Sequence, residues 1–452
     1  MKKSTSGTLR KSHTGPGASG KKDADHSMNM WSVAAMGVGA MVGAGIFALL
    51  GLVGLVAGNE TYISFLLGGV VAVLSGYTYA KLEARYPDAG GLTAYFHQAF
   101  GTGRTSATLS LTYLITVAVT IAMVAKAFGA YATPLAFGNT SPLWANAFAS
   151  AITILLVLLN IADSSLVGKA EVVLVGIKLA ILALLMSAGT YGMMGHPQVK
   201  HVTPHFLSLI GSVGLTFLAY AGFGMMTNAA GRVSRPKQTI PRAIYLAIAV
   251  VILLYAALAV IVLGSVSSAD LKLHADTAVA VAAKPVLGQA GYIIVSVAAL
   301  LATASGINAW VFTAMQISHA MVQVGNLPRM FSHFVWRKGT LGLLLSVAAI
   351  LLAINVLDLT ALARIASATF LFSYLAVQIA HWRLIDETKG SRFLVGLGLL
   401  FITGVLACFL WSTFQVQPWS LGLIVAFVVI GWFIEFCLAR SKAGLRVEHG
   451  AT

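Results

Sequence analysis

The stretch that decides the fold reads Gly37-Val38-Gly39-Ala40-Met41-Val42-Gly43-Ala44-Gly45-Ile46-Phe47, with four glycines in nine residues. It lies in an apolar run from Trp31 to Ala57, long enough to cross a bilayer, since a spanning helix needs about 20 residues. Each glycine destabilises a helix by about 0.8–1.0 kcal/mol relative to alanine, so the pattern predicts an interruption at mid-depth. Interrupted backbone at this depth lines a cavity, whereas small residues also permit close helix packing. Both explanations stay open for this segment alone.

The composition is that of a membrane protein. The chain has 452 residues, of which 58% are hydrophobic and only 10% charged, with a mean hydropathy of +0.86. A soluble domain carries about 25% charged residues. We therefore expect an all-α polytopic membrane protein with the lipid bilayer as its surroundings.

Twelve transmembrane helices are predicted from the apolar runs. The predicted spans are residues 31–57, 61–82, 106–133, 145–161, 169–191, 207–230, 242–265, 290–322, 341–356, 359–382, 393–413 and 419–439. We expect a disordered basic tail over residues 1–30, because no apolar core with a cleavage site follows it. A second short tail is expected over residues 441–452, and Leu92–Phe100 is expected to lie at the inner surface.

The placement of basic residues predicts the orientation. Most of the 29 Lys and Arg residues fall in the two tails and in alternate loops. The opposite side receives Lys200, Lys272 and Lys284, with Arg364 near a helix end. The positive-inside rule then puts both termini in the cytoplasm, and we expect the plasma membrane, the inner membrane of the cell. The net charge of +15 is a topology signal, and no nucleic-acid partner is predicted.

Span six carries a second weak point. It reads Leu215-Thr216-Phe217-Leu218-Ala219-Tyr220-Ala221-Gly222-Phe223-Gly224, with two glycines beside aromatic residues at mid-depth. Spans one and six are the first helices of two five-helix halves. Interrupted helices at matching positions of two halves are the best sequence indication of a transporter binding site. The paired interruptions therefore favour a transporter.

Several motifs in order make the chain resemble the amino acid permeases of the amino acid–polyamine–organocation superfamily. The first two are Gly39–Phe47 and the loop Arg85-Tyr86-Pro87-Asp88-Ala89-Gly90-Gly91 followed by Tyr95. The third is Phe217–Phe223, followed after a basic loop by Pro236–Ile244. The tract Ala302-Thr303-Ala304-Ser305 with Asn308, and Gly325-Asn326-Leu327-Pro328, are similar to the family's eighth helix and its exit. The resemblance extends over about residues 28–440.

The resemblance implies a fold and a binding site. The fold would be a ten-helix core over residues 31–382, built as a 5+5 inverted repeat of the leucine-transporter type with discontinuous helices 1 and 6. Two additional helices would follow over residues 383–440. The substrate carboxylate would accept hydrogen bonds from backbone N–H groups around Gly43, Ala44, Gly45 and Ile46. The substrate ammonium would face carbonyls near Phe217, Leu218, Ala219 and Tyr220.

Lys178 is a charged residue about nine residues into span five, with apolar neighbours on every side. Such a lysine costs roughly 2.5–3.5 kcal/mol at a helix centre and lies too deep to snorkel, so we expect it to face the bundle interior. The resemblance places it where sodium-coupled relatives hold a sodium ion. Carbonyls of span one and the hydroxyl of Thr303 or Ser305 are the expected partners. Lys178 is then a candidate proton carrier, with a structural pin as the alternative.

Expectations also follow for other charged and aromatic residues in or near the spans. Lys126 and Arg364 are expected to snorkel outward, with a role in substrate entry as the alternative, and Glu83 is expected to be solvated at a helix end. Phe217 and Phe223 are candidate gates, with simple packing as the alternative. Gly224 stands where many relatives carry an acidic residue, which favours a neutral substrate.

The sequence predicts a secondary amino acid transporter that uses alternating access and proton symport. Ion-independent exchange of amino acids or polyamines is the alternative within this class, and a non-transporting amino acid sensor is a second alternative. A membrane-embedded enzyme is disfavoured, because no intramembrane acid/base pair or metal-ligand cluster appears. No cofactor or metal is expected, and the sequence does not predict the oligomeric state.

Overall fold

The protein is almost entirely helical in the residues that the structure describes, as the sequence predicts. The computed structural model describes residues 28–87, 91–162, 165–194, 204–233, 235–327, 331, 334–336, 339–427, 429 and 432–433. A small antiparallel hairpin pairs β1 (Phe334–Trp336) with β2 (Gly339–Thr340). The predicted tail over residues 441–452, and residues 1–27 of the N-terminal one, lie outside the described residues.

Seventeen α-helices are described along these residues. They are α1 Met30–Ala44, α2 Ile46–Ala57, α3 Thr61–Arg85, α4 Leu92–Phe100, α5 Arg104–Phe137, α6 Pro142–Ala162, α7 Ser165–Met194, α8 Phe206–Tyr220, α9 Pro236–Ser265, α10 Ser268–Leu273, α11 Ala278–Val281, α12 Lys284–Gln323, α13 Leu341–Val356, α14 Leu359–Arg383, α15 Ile385–Thr388, α16 Arg392–Val416 and α17 Pro418–Phe427. Three 3-10 segments, Gly58–Glu60, Ala221–Arg232 and Ala275–Thr277, connect some of them.

Nine helical stretches of the described residues are long and apolar enough to cross a membrane. One of them, Ile46–Arg85, combines α2 and α3, and shorter apolar helices add Met30–Gly43, Leu341–Val356 and Pro418–Phe427. Large apolar side chains such as Leu253, 73% exposed, lie on the outside of the bundle. This arrangement suits a lipid solvent, which does not penalise exposed hydrocarbon. The count of twelve crossings stays a prediction.

The first helix pair lies at the centre of the bundle. Helix α1 packs against α9, α12 and the segment Ala221–Arg232, while α2 packs against α8 and the segment Ala275–Thr277. Helix α8 in turn packs against α3 and α16. Every side chain from Ile46 to Val53 that the structure describes is buried. The predicted interruptions are therefore enclosed by protein, as irregular backbone at membrane depth requires.

Candidate functional site

The two predicted interruptions meet at the hydroxyl of Tyr255. Helices α1 and α2 are separated by Gly45 alone, and α8 ends at Tyr220, after which the chain continues as the 3-10 segment Ala221–Arg232. From α9, the Tyr255 hydroxyl donates to Met41 O at 2.7 Å, with Ala219 O as a second acceptor at 3.3 Å. One buried hydroxyl thus joins the backbone beside both interruptions.

Gly45 is required at this contact by space and not by its backbone angles. Its φ of −79° and ψ of −70° are open to any residue. A Cβ at Gly45 would lie 2.6 Å from both Ala219 O and the Tyr255 hydroxyl, and one at Gly43 would lie 2.7 Å from Ala302 O on α12. Close helix packing, one of the two explanations for the glycine stretch, therefore holds at both positions.

The predicted hydrogen-bond donors are partly engaged. The N–H of Gly45 donates to Met41 O at 2.9 Å, and Gly45 O accepts from Leu49 N at 3.0 Å. The N–H of Gly45 is therefore bonded within the first helix in this conformation, and its role in binding a carboxylate stays a prediction. Gly43 and Ala44 lie in the last turn of α1. A helix start leaves its first N–H groups without intrahelical acceptors, and the first of α2, that of Ile46, bonds to the Tyr255 hydroxyl.

The predicted acceptors lie on the other side of the contact. Leu218 O accepts from the N–H of Ala221, so the chain tightens into the 3-10 segment without a gap. Ala221 O accepts from the Tyr374 hydroxyl at 3.2 Å. The Tyr220 hydroxyl donates to Phe65 O at 2.9 Å on α3. Of the predicted acceptors, Leu218 O is bonded within the chain and Ala219 O to the Tyr255 hydroxyl, while Tyr374 of α14 bonds the next carbonyl, that of Ala221.

The two candidate gates belong to one buried aromatic cluster. Phe217 and Phe223 are both fully buried, and their ring centroids lie 5.2 and 5.6 Å from that of Tyr374. Tyr79 of α3 lies 5.3 Å from Phe223 and stacks on Tyr374 at 5.4 Å. The cluster therefore joins α3, α8, the 3-10 segment and α14, and gating by Phe217 and Phe223 stays a prediction.

Lys178 is fully buried and reaches the first helix. Its Nζ donates to Gly39 O at 2.7 Å and to Ser305 Oγ at 3.4 Å. The structure thus brings Lys178 together with a span-one carbonyl and with Ser305. Thr303 bonds elsewhere, since its hydroxyl donates to Ala299 O at 2.7 Å within α12. The lysine links α7, α1 and α12 two turns from Gly45.

Two charged residues, Glu83 and Arg364, lie deeper than the sequence suggests, whereas Lys126 is half-buried. Glu83 is fully buried and accepts a 2.6 Å hydrogen bond from Tyr95, so the expected solvation is wrong. Arg364 is only 3% exposed and donates to Thr413 Oγ1 at 3.2 Å, so it does not snorkel outward. Lys126 donates to Asn146 Oδ1 at 2.6 Å in the wall of a cavity.

Sequence reasoning missed Tyr255, Tyr374 and Tyr79. A usable signal existed, because a tyrosine in the middle of an apolar span needs a partner for its hydroxyl. Tyr255 and Tyr374 lie in the interior of α9 and α14, and both donate to carbonyls near the end of α8. Buried tyrosines in spans therefore indicate where the backbone of a neighbouring helix offers a carbonyl.

Comparison with known proteins identifies relatives of the chain. A family profile described as "Amino acid permease" matches residues 28–434. "Inner membrane transport protein YbaT" of Escherichia coli K12 is 42% identical over 92% of this chain and 97% of its own length. The "Methylthioribose transporter" of Bacillus subtilis is 25% identical over 69% of this chain and 70% of its own. "Asc-type amino acid transporter 1" of Mus musculus is 26% identical over 67% of this chain and 59% of its own.

The profile covers most of the chain, and the Escherichia coli relative is similar from end to end. The relatives are transporters, and the apolar helices give the chain a membrane location. The chain therefore belongs to the amino acid permease family and is a membrane transport protein, not an enzyme.

Proposed function

We propose that this permease is a secondary active transporter of neutral amino acids that works by alternating access. The observation that carries the proposal is the direct contact of the two interrupted helices at Gly45, Ala219 and Tyr255. Paired interruptions at the midplane are the arrangement in which transporters bind small charged substrates. Backbone N–H groups at the start of α2 and backbone carbonyls at the end of α8 lie close together at this contact.

The substrate would bind by separating α2 from the end of α8. Its carboxylate would accept hydrogen bonds from N–H groups at the start of α2, from Ile46 on, where the helix dipole also favours negative charge. Its ammonium would donate hydrogen bonds to the carbonyl oxygens of Phe217, Leu218, Ala219 and Tyr220. Binding energy drives the conformational change only through different affinities for the two states. A zwitterion that binds between α2 and the end of α8 would replace their direct contact, so its affinity would differ between the open and the closed state.

The finer architecture is part of the proposal. Twelve crossings would form a 5+5 inverted repeat over residues 31–382 with two further helices over residues 383–440. Both tails, 1–30 and 441–452, would lie in the cytoplasm, as the basic loops suggest. The name of the Escherichia coli relative, an inner membrane transport protein, supports the inner membrane as the location.

A neutral substrate is favoured by the surroundings of Gly224. That position lies in the aromatic cluster, where a Cβ would be 3.1 Å from the Tyr374 hydroxyl. The residues that follow, Met225 and Met226, are buried and uncharged. A cationic side chain of a substrate would therefore meet apolar and aromatic groups here and no carboxylate from this stretch. Methionine adapts its shape to different apolar partners.

Proton coupling through Lys178 is the proposed source of energy. Its ammonium holds Gly39 O of α1, at 2.7 Å, against α7 and α12. Loss of the proton would remove the charge that attracts this carbonyl and would release α1 from the other two helices. A protonation step at Lys178 would thus change the helix that carries the substrate site. Exchange without a coupling ion is the alternative that the experiment below separates.

Uptake by the purified protein in proteoliposomes tests the proposal. Labelled neutral amino acids are added with an inwardly directed proton gradient, and we expect accumulation that a protonophore abolishes. Exchange of labelled for unlabelled substrate without gradient-driven accumulation would identify an exchanger. Binding in solution with neither accumulation nor exchange would identify a sensor and contradict the proposal.

Replacement of Tyr255 by phenylalanine should slow transport about tenfold, the rate equivalent of one lost hydrogen bond of about 1.4 kcal/mol. The hydroxyl holds Met41 O and Ala219 O at the contact. The measurement is the initial uptake rate at equal protein in the vesicles. Tyr245→Phe on the same helix, at an exposed position, is the matched control. Equal rates for both variants would contradict the role of Tyr255.

A further inference from the structure

A cavity of about 290 Å³ with both charged and apolar groups in its wall lies where α5 ends and where α6 and α14 begin. Its walls come from α5, α6, the segment Ala275–Thr277 and the start of α14. Lys126, Asn146, His274, Asp276 and Asp358 contribute the polar groups. On the proposed orientation this end faces outward, and we call the space the outer cavity.

The outer cavity combines one ammonium with two carboxylates. Lys126 donates to Asn146 Oδ1 at 2.6 Å, which uses one of the three protons that an ammonium can donate. Asp358 accepts from Ala361 N at 2.6 Å as the cap of α14, which uses one of its two oxygens. The cavity therefore offers one positively charged group and two negatively charged ones as partners. A ligand that brings both an ammonium and a carboxylate would match this lining.

The position of Lys126 depends on a close approach of α5 to α6. A Cβ at Gly129 would lie 2.0 Å from Ala145 O, so only glycine permits this approach. Asn146, the partner of Lys126, is the next residue on α6. The close contact of α5 and α6 therefore fixes the positions of Lys126 and Asn146 in the cavity wall.

The outer cavity is also connected to the first helix pair. Asp276 follows Ala275, and a Cβ at Gly51 of α2 would lie 2.0 Å from Ala275 O. The segment that carries Asp276 therefore rests directly on α2. A ligand held between this segment and α5 or α14 would sense the position of the helix that forms the central site.

We propose that the outer cavity is a second binding site for zwitterionic amino acids. This site would hold a substrate before it reaches the central site. Lys126 would bind the carboxylate, and Asp276 and Asp358 would bind the ammonium. This inference rests on the proposed function. The volume is near the lower end of the range for ligand pockets, about 300–1,000 Å³, and suits a ligand as small as an amino acid.

The electrostatics of Asp276 agree with this assignment. Burial raises the pKa of the Asp276 carboxyl, the charge of Asp358 raises it further, and Lys126 opposes both. The carboxylate is therefore less stabilised than it would be in water. A substrate ammonium next to it would supply the missing stabilisation.

Sided kinetics on the full-length protein in oriented proteoliposomes test the outer cavity. The probe is the labelled neutral amino acid that the vesicles accumulate best. We expect Asp276→Asn and Lys126→Met to raise the KM for entry from the cavity side about tenfold, as the loss of one charge-assisted bond implies. The KM from the opposite side and the maximal rate should not change. Asp270→Asn and Lys272→Met, at exposed positions of the same loop, are the matched controls.

Equilibrium binding to the detergent-purified protein gives an independent result, with alanine and leucine as probes. Wild type should bind two equivalents per chain, and Asp276→Asn or Lys126→Met one. A single equivalent in wild type, a KM unchanged from the cavity side, or an equal rise from both sides would overturn the second site. Absence of uptake in wild type would reject the proposed function, while the binding stoichiometry would still decide the outer cavity by itself.

Discussion

Lys178→Met should abolish proton-driven accumulation and leave exchange of labelled for unlabelled substrate in place. The lysine is the buried ammonium that holds Gly39 O at 2.7 Å and reaches Ser305 at 3.4 Å. Methionine has a similar volume but carries no proton, so α1 would lose the group whose charge state is proposed to change. The measurement compares accumulation under a proton gradient with counterflow in the absence of one.

The variant should also remain folded. Replacement of a buried charge by an apolar residue of similar volume is often neutral or stabilising, so the thermal midpoint of the purified protein should hold or rise. Lys237→Met, at an exposed position near the start of α9, is the matched control and should accumulate substrate normally. Gradient-driven accumulation that persists in Lys178→Met would reject the coupling role. A general loss of binding, exchange and stability would show a structural pin instead.

Gly45→Ala is expected to reduce the uptake rate by about 100-fold, the equivalent of about 3 kcal/mol of overpacking. The added methyl group would lie 2.6 Å from Ala219 O and from the Tyr255 hydroxyl, and these two atoms belong to backbone and to a buried ring that cannot easily move. The helices would have to move apart, and the closed contact at the interruptions would be lost. Initial uptake rates at matched protein density give the result.

Gly404→Ala is the control for the glycine substitution. Gly404 lies in α16 with open space around its Cβ position. The same change there should preserve uptake and stabilise the helix by up to about 1 kcal/mol. If Gly45→Ala transported as fast as Gly404→Ala, the contact between the interrupted helices would have no role in transport.

The helical architecture was predictable because each long apolar run has to form a helix in a bilayer. The position of the first kink followed from the glycines, and the pairing of Lys178 with α1 and Ser305 followed from the family resemblance. The sequence was less informative about which face of each helix points toward the candidate site. Span seven is apolar on all sides, so no periodicity indicates that Tyr255 faces the interruptions.

The same ambiguity explains the errors. Glu83 and Arg364 lie near helix ends, where either solvent or a neighbouring helix can receive the side chain. In the structure Glu83 accepts from Tyr95, and Arg364 donates to Thr413. The continuation of α8 as a 3-10 segment was also outside the reach of the sequence. Glycines beside aromatic residues indicate a weak point, but a gap and a tighter helix are both compatible with them.

The length of the segment Ala221–Arg232 has a mechanical consequence. A 3-10 helix rises about 2.0 Å per residue and an α-helix about 1.5 Å, so the 12 residues here are extended relative to an α-helix. Relaxation into the wider coil would shorten the segment by about 6 Å. Arg232 would then move about 6 Å closer to Tyr220, so a change of helix type in this stretch would shift the start of α9 relative to the end of α8.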